Sequence, residues 1–304
     1  MKSRQKTKFL SIAIAAYNAS KNIRPLVKSL ISQKGFNAIV KELVVYSDAS
    51  KDNTVELARN IKHPAIKVID SAKNGGFAAS IIKIFKLLNN EYVLLLNDDI
   101  RIKDGYFLKK LIKPLLIQNI DLLTGNPRPI PANNFIGKAS YLSFTIFERM
   151  RQSLKNKNNK FTCDGKIMLL SKRFIKSMKF PKNLAEMGNV DAFFYFSCIE
   201  NNFIYRFNKN AEVVYNYPSS VNDYVKWQVR NNSNAKIMQK RFGTLVKKEF
   251  KLPKKYFSFL TLNEIVSNLD SVLFLIFLHF YVLFKIRNAD KWFKPKWEVI
   301  TTTK

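Results

Sequence analysis

The chain has few of the residues that build disulfide frameworks or zinc sites. Its 304 residues include two cysteines, Cys163 and Cys198, and two histidines, His63 and His279. Numbers this small leave both a disulfide scaffold and a Cys/His zinc centre short of ligands. The composition therefore excludes both classes and is typical of a protein from a reducing compartment.

Acidic residues are also scarce. Aspartate and glutamate number 22 against 52 lysines and arginines, so the formal net charge is +30, and the excess is spread over both halves of the chain. A surface of this kind attracts polyanions such as nucleic acid, anionic lipid or nucleotide phosphates. The dominance of lysine and asparagine is equally what A- and T-rich codons produce, so both explanations of the charge stay open.

Hydrophobic runs long enough to span a bilayer are missing. The longest, residues 271–284, has 14 residues, against the roughly 18 to 20 that a membrane-spanning helix needs. Basic residues follow it, and Trp292 and Trp297 lie among further lysines, a pattern typical of an interfacial belt. We expect the C-terminal segment, 251–304, to contact a membrane as a hydrophobic or amphipathic helical tail, either peripherally or, if flanking residues extend the apolar run, as a single anchor. A buried core helix with a basic end is the alternative.

The N-terminal segment, residues 1–16, has two interpretations. A basic start, an apolar run from Phe9 and small residues are typical of a secretory signal. A first β-strand fits better, because the apolar run is short and leads at once into a helical pattern at residues 23–31. We therefore predict a strand here.

Apolar strands and amphipathic helices alternate over the first hundred residues. After the helix at 23–31, the pattern predicts strands at 41–46, 66–70 and 92–96, separated by helices at 54–61 and 77–88. This alternation predicts an α/β fold with a doubly wound, mostly parallel sheet. Another strand is predicted at 166–170, and the mixed segment 126–160 is interpreted as a flexible insertion or an interfacial patch.

Polar clusters follow these strands at the points where each strand ends. They are Tyr17-Asn18, Asp48, Asn74-Gly75-Gly76 and Asn97-Asp98-Asp99. In doubly wound sheets, ligands bind at the carboxyl ends of the strands. Two adjacent carboxylates there suit a hard divalent cation with phosphate oxygens, although a solvated turn has the same sequence. Likewise, Asp48 is either an acceptor for a nucleoside or the cap of an ordinary turn.

Two common nucleotide-binding motifs are absent from the sequence. It contains neither G-x-G-x-x-G nor G-x-x-x-x-G-K-[ST]. Rossmann oxidoreductases and P-loop enzymes therefore lose support.

Taken together, the strand-end motifs resemble those of the family 2 glycosyltransferases of the GT-A fold. The opening SIAIAAYN is similar to the first strand of that family, SDASKDNT to its aspartate-rich turn, KNGGF to its N-x-G loop and LLLNDD to its D-x-D strand. Further along, DGKIMLLSKR, AEMGNVD and the stretch 211–230 are similar to the family's second half. The resemblance implies a nucleotide-sugar half at 1–125 and an acceptor half at 126–250.

The resemblance implies a role for each matching position. Asp191 is expected to be the catalytic base, with Glu186 as a nearby competitor, and Trp227 and Arg230 to serve the acceptor or the pyrophosphate. Asp99 and Asn97 are expected to hold Mn²⁺ or Mg²⁺. Contacts to the donor nucleotide are expected from Ala15, Tyr17, Asn18, Asp48, Asn74 and Asp98.

The implied function is inverting transfer of a sugar from a nucleotide-diphosphate sugar to a saccharide or lipid-linked acceptor. UDP-sugar is the expected donor, with dTDP- and GDP-sugars as alternatives, and the cytoplasmic face of the cell membrane is the expected location. Because the sequence departs from the family pattern at Ala15, Ser47 and Asn97, a non-catalytic membrane scaffold is an alternative function. Because paired acids also serve nucleotidyltransferases, that activity is a second alternative. Nucleic acid is not an expected partner, because no recognition motif for it occurs.

Overall fold

The fold is known from a computed structural model that describes residues 8–35, 38–154, 157–250 and 259–287. Eight strands form a sheet in the order β3-β2-β1-β4-β7-β6-β8-β5. The strands are β1 (Lys8–Ala16), β2 (Ala38–Ser47), β3 (Ile66–Asp70), β4 (Tyr92–Asn97), β5 (Ile100–Arg101), β6 (Leu122–Ile130), β7 (Ile167–Ser171) and β8 (Tyr205–Asn216).

Helices connect and cover the strands. The first four are α1 (Ile23–Ile31), α2 (Thr54–Arg59), α3 (Phe77–Leu87) and α4 (Phe107–Ile112). They are followed by α5 (Phe135–Ser153), α6 (Lys172–Ser177), α7 (Val190–Glu200), α8 (Val221–Phe242), α9 (Thr244–Glu249), α10 (Leu262–Ser267) and α11 (Leu269–Arg287). The elements predicted for the first hundred residues are thus confirmed, including a strand at the N-terminal apolar run.

The sheet is parallel in its first half and mixed in its second. β1 pairs in parallel with β2 and β4, and β2 pairs in parallel with β3. β7 runs antiparallel between β4 and β6, β6 is parallel to β8, and β5 is antiparallel to β8. The parallel half brings the carboxyl ends of β1, β2 and β4 to one edge, as the predicted doubly wound topology requires.

Alternate residues of each buried strand supply two hydrophobic cores, one on each face of the sheet. On β1, Ile14 packs in the core that contains Leu26 of α1, whereas Ala15 packs in the core that contains Ile84 of α3 and Phe193 of α7. Successive side chains of a strand point to opposite faces, so a strand covered on both faces is apolar throughout. Burial of a large side chain here contributes about 1.5–3 kcal/mol.

The expectation of a flexible insertion at 126–160 is wrong for most of that range, and the alternative of an interfacial patch stays a prediction. Residues 126–130 belong to β6 and pair with β8, and α5 begins just after Asn134, whose side chain accepts a hydrogen bond of 2.7 Å from the Gly137 N–H. β7 pairs with residues 122–124 of β6 but does not reach the proline-containing part. Proline is tolerated on such an unpaired edge, which is why a proline-rich stretch forms a strand. Residues 155 and 156 lie outside the described residues.

The C-terminal helix α11 packs against α5 and α8. Its residues Val272, Leu278 and Val282 are buried at those contacts. Among the helices of the described ranges, none combines the length and apolar character needed to cross a membrane. The expected aromatic belt at Trp292 and Trp297, like residues 1–7, lies outside the described residues, and the boundary expected at residue 250 stays a prediction.

Candidate active site

The carboxyl ends of β1, β2 and β4 meet at one edge of the sheet. Ala15 lies opposite Asn97 in the β1/β4 register, and Ala16 lies opposite Ser47 in the β1/β2 register. Across these strand ends, the Tyr17 N–H donates to Asp98 Oδ2 at 2.9 Å. The polar clusters predicted to converge at this edge therefore do so.

Asp48 organises the loop that precedes α3. Its carboxylate is fully buried and accepts hydrogen bonds from the Gly75 N–H at 3.0 Å and the Gly76 N–H at 2.8 Å. The Asn74 side-chain amide donates to the Asp48 carbonyl at 3.2 Å. Gly76 has φ of +83°, a conformation that glycine adopts without steric cost. The predicted contact of Asp48 with a nucleoside stays a prediction; the contact described is with the loop.

Asn18 links the turn after β1 to the turn after β2. Its Oδ1 accepts from the Lys51 N–H at 2.8 Å, and its own N–H donates to Ser50 Oγ at 3.1 Å. The Ser50 hydroxyl also lies 3.0 Å from that of Ser47. Serine at position 47, where the family usually has aspartate, thus contributes a neutral bond to the turn. By contrast, the Ala15 side chain is 1% exposed and packs in the core beneath the turns.

The triplet Asn97-Asp98-Asp99, at the carboxyl end of β4, holds two buried oxygen atoms without a hydrogen-bond partner. These are Asn97 Oδ1 and Asp99 Oδ1. The other carboxylate oxygen of Asp99, Oδ2, accepts from Lys166 Nζ at 2.8 Å. Buried polar atoms are almost always paired, and an unpaired one costs about 1–3 kcal/mol. The two orphaned oxygens thus indicate a ligand site.

These oxygens fit a hard divalent cation. Mg²⁺ is usually held by one or two carboxylates together with substrate phosphates, not by a cage made wholly of protein. Within the part of the chain that the structure describes, no group of three or more histidine, cysteine, aspartate or glutamate residues could hold a metal. The donor set of Asp99 and Asn97 therefore suits a cation that shares its remaining ligands with a bound phosphate compound.

Asp191 lies in the first turn of α7. Its Oδ1 accepts from the Ala192 N–H at 2.8 Å, and its Oδ2 lies 3.8 Å from Lys160 Nζ. A β-carbon at Gly165 would lie 3.6 Å from the Asp191 β-carbon, so the chain just before β7 passes directly beside Asp191. The competing acid Glu186 is exposed, in a 3₁₀ turn ahead of α7.

Asp164 and Lys166 are site residues that the sequence analysis did not single out. Burial raises the pKa of the Asp164 carboxyl; the Lys166 charge and N–H oppose this rise, and the Asp191 charge adds to it. The negative charges of Asp164 and Asp191 therefore repel one another. The sequence feature that could have identified these two residues is a pair of opposite charges directly before a buried apolar strand, in DGKIMLL.

An aromatic chain connects Trp227 to Lys166. Trp227 meets Tyr217 edge-on, with ring centroids 5.4 Å apart, and Tyr217 lies 6.1 Å from Tyr215. Lys166 Nζ lies 4.2 Å from the Tyr215 ring centroid, within cation–π range. Arg230 is exposed on the same helix as Trp227, and its contact with the acceptor or the pyrophosphate stays a prediction.

Comparison of the sequence with protein families gives a match over more than half of the chain. Residues 11–178 match the model described as glycosyl transferase family 2. A poly-beta-1,6-N-acetyl-D-glucosamine synthase of Staphylococcus epidermidis is 28% identical over 181 residues, which is 57% of this chain and 42% of that protein. A dolichyl-phosphate beta-glucosyltransferase of Trichomonas vaginalis is 27% identical over 157 residues, 45% of this chain and 47% of that protein. The match spans less than half the length of either relative.

Solved structures with the same fold extend the likeness to more of the chain. A glucosyl-3-phosphoglycerate synthase of Mycobacterium tuberculosis, in complex with Mn²⁺, UDP and phosphoglyceric acid, superposes with a TM-score of 0.56 at 15% identity over 78% of this chain and 79% of its own. A mannosyltransferase of Pyrobaculum calidifontis, in complex with GDP-Man and Mn²⁺, superposes with a TM-score of 0.57 at 14% identity over 94% of this chain and 74% of its own. These similarities establish the expected GT-A fold.

Proposed function

The chain belongs to glycosyl transferase family 2, and on that premise we propose that it transfers a sugar from a nucleotide-diphosphate sugar to an acceptor hydroxyl. The observation that carries the proposal is the pair of buried, unpaired oxygens on Asn97 and Asp99 at the carboxyl edge of the sheet. A divalent cation that is also bound to a diphosphate would coordinate both oxygens.

The donor side of the reaction needs a charge that neutralises the departing nucleoside diphosphate. Asp99 and Asn97 would hold Mn²⁺ or Mg²⁺, and the bound cation supplies Lewis-acid stabilisation of the diphosphate. The loop at 73–76, fixed on Asp48, and the turn at Tyr17, fixed on Asp98, present a preformed edge to the nucleotide. UDP-sugar is the proposed donor.

The acceptor side needs a base that removes a proton from the attacking hydroxyl. The Asp191 side chain is 21% exposed, so a hydroxyl can reach its carboxylate. As Asp191 takes the proton, the hydroxyl oxygen forms a bond to the anomeric carbon and the bond to the diphosphate breaks on the opposite side, so the anomeric centre is inverted. Arg230 is proposed to assist at the pyrophosphate or the acceptor through its fork of N–H donors.

Similar proteins support a saccharide or lipid-linked acceptor. One named relative is a poly-N-acetylglucosamine synthase and another is a dolichyl-phosphate glucosyltransferase. The first name is that of an enzyme that makes a polysaccharide, and the second is that of an enzyme that acts on a lipid phosphate. We place this chain in the same kind of process.

Membrane attachment is the second part of the proposal, and the surface of α11 supports it. Leu273, Phe277, Phe280 and Phe284 are 58%, 66%, 66% and 63% exposed. Their spacing of three and four residues puts them on one face of the helix. An apolar face on a chain of net charge +30 fits an anionic lipid surface. We propose the cytoplasmic face of the cell membrane as its location.

Nucleotide binding tests the donor site. Calorimetry would measure UDP, dTDP and GDP with and without Mn²⁺, on the wild type and on Asp99→Ala. We expect one nucleotide to bind with metal dependence, and the variant to lose that dependence. Asp104→Ala is the matched control, because Asp104 is paired with Lys110, and it should bind as the wild type does. A folded wild-type protein that binds none of the three would contradict the proposal and favour the non-catalytic scaffold.

Vesicle binding tests the membrane surface. Sedimentation with phosphatidylserine vesicles should capture the wild type and release the double variant Phe277→Glu, Phe280→Glu. Ile117→Glu is the control, since Ile117 is 80% exposed and lies outside α11. The membrane proposal fails if the vesicles capture all three proteins equally. It also fails if they do not capture the wild type.

A further inference from the structure

Lys166 places a positive charge directly on the acidic triplet. Its Nζ donates to Asp99 Oδ2 at 2.8 Å, and the two side chains are 16% and 13% exposed. The same ammonium lies 4.2 Å from the Tyr215 ring centroid. The charge is thus held between a carboxylate and an aromatic ring and is largely shielded from solvent.

Hydrogen bonds hold both the carbonyl and the N–H of Lys166, and this backbone position directs the side chain to Asp99. Its carbonyl accepts from the Asn97 N–H at 3.2 Å, so the residue sits beside the end of β4. Its own N–H donates to Asp164 Oδ1 at 2.9 Å. Since β7 and β4 pair antiparallel immediately beyond this point, the position of Lys166 is set by the sheet itself.

Two adjacent carboxylates are held at this edge, and Lys166 offsets part of their repulsion. Asp98 Oδ2 accepts from the Tyr17 N–H, whereas Asp99 Oδ2 accepts from an ammonium. A hydrogen bond between two ionised groups is about twice as strong as one between neutral groups. A divalent ion that takes Asp99 therefore has to compete with a charge that is already in place.

We propose that Lys166 is the resident cation of the donor site. It neutralises Asp99 before a metal binds, weakens the binding of a metal to the nucleotide-free protein, and contacts the phosphate oxygens of the donor once Asp99 holds the metal. The last clause rests on the proposed function. An ammonium has three N–H donors, so Lys166 can bond Asp99 and a phosphate in turn or together.

A titration of Mn²⁺ alone, followed by electron paramagnetic resonance, tests the competition. Lys166→Met and Lys166→Gln should each bind Mn²⁺ at least about tenfold more tightly than the wild type, because a positive charge 2.8 Å from the Asp99 carboxylate is removed. Lys166→Arg keeps the charge and should bind Mn²⁺ weakly. Lys172→Met is the matched control, since Lys172 donates to the Asn89 carbonyl at the other end of β7.

A second titration tests the phosphate contact. UDP would be added at saturating Mn²⁺, and Lys166→Met should bind it about tenfold more weakly than the wild type and the Lys172→Met control. Unchanged Mn²⁺ affinity in both neutral variants overturns the competition, and unchanged UDP affinity at saturating Mn²⁺ overturns the phosphate contact. If the wild type binds no nucleotide under any condition, the proposed function fails, yet the Mn²⁺ titration still decides whether Lys166 occupies Asp99.

Discussion

The turn after β2 and the turn after β4 each present an aspartate at the same edge of the sheet, but they use it differently. Both oxygens of Asp48 accept from loop N–H groups, and the side chain is fully buried. Asp99 gives one oxygen to Lys166 and leaves the other unpaired. The charge of Asp48 is therefore used in folding the loop, whereas that of Asp99 remains available to a ligand.

The difference separates stability from function. Removal of Asp48 leaves two loop N–H groups without their acceptor, which costs about 1–3 kcal/mol at the buried Gly76 and less at the exposed Gly75. Replacement of Asp99 by asparagine removes a charge whose described contact within the fold is with Lys166. A substitution at Asp48 should therefore lower the unfolding free energy, whereas a substitution at Asp99 should lower activity and leave the unfolding free energy nearly unchanged.

The largest expected effect is on turnover in Asp99→Asn. The amide keeps the volume and an acceptor for Lys166 but loses the charge that holds a metal, so kcat/KM should fall by at least about 100-fold, or about 2.7 kcal/mol. The unfolding free energy should change by less than about 1 kcal/mol. Release of nucleotide from the donor that the wild type binds measures the first, and urea unfolding the second. A variant that is unstable and still active would reverse the assignment.

Next in size is the loss of stability in Asp48→Ala. We expect the unfolding free energy to fall by about 2–4 kcal/mol, because Gly75 and Gly76 lose their acceptor. Asp70→Ala, at the exposed end of β3, should cost less than about 0.5 kcal/mol. Urea denaturation of both variants measures the contrast. Equal losses would mean that the loop does not depend on the carboxylate.

A third carboxylate, Asp121, extends the comparison to acid stability. It is fully buried, and burial alone would raise its pKa, but hydrogen bonds from Arg173, Ile204 and Ser171 together lower it. A lowered pKa contributes stability above the ordinary range near 3.9 and loses it as the pH falls through the value in the folded protein.

The variant Asp121→Asn isolates this contribution. It should be less stable than the wild type by about 1–2 kcal/mol at pH 7, since Arg173 is largely exposed. The difference in unfolding free energy between the variant and the wild type should shrink as the pH falls below about 4. Thermal unfolding between pH 2 and 7 measures it. A gap that stays constant across this range would show that the carboxylate charge contributes nothing.

The smallest effect is expected at Arg230. Arg230→Ala should raise KM by up to about tenfold with little change in kcat or stability, because the side chain is exposed and its proposed role is in binding. Lys226→Ala, also exposed on α8, is the control for loss of charge alone. The same rise in KM in both variants would assign the effect to overall charge and not to Arg230.

Local patterns in the sequence were enough to predict the strands whose carboxyl ends form the candidate site. Strand ends, turn residues and the clusters at Asp48 and Asp99 depend on periodicity over a few residues. The partners of those aspartates do not. Lys166 is 67 residues from Asp99 in the chain, and only the antiparallel pairing of β7 with β4 brings them together. The proline-containing strand β6 was missed for a related reason, because whether a strand has one neighbour or two is a property of the sheet.

The anchoring of the loop at 73–76 on Asp48 also bears on the kinetics of donor capture. Ordering a residue's backbone costs about 1–2 kcal/mol in conformational entropy. Because the Gly75 and Gly76 amides are already held, this cost is incurred once, during folding, and not at each encounter with a ligand. In the proposed donor site, an arriving nucleotide would meet a loop that is already ordered, so we expect diffusion and charge, and not the closing of this loop, to set its association rate.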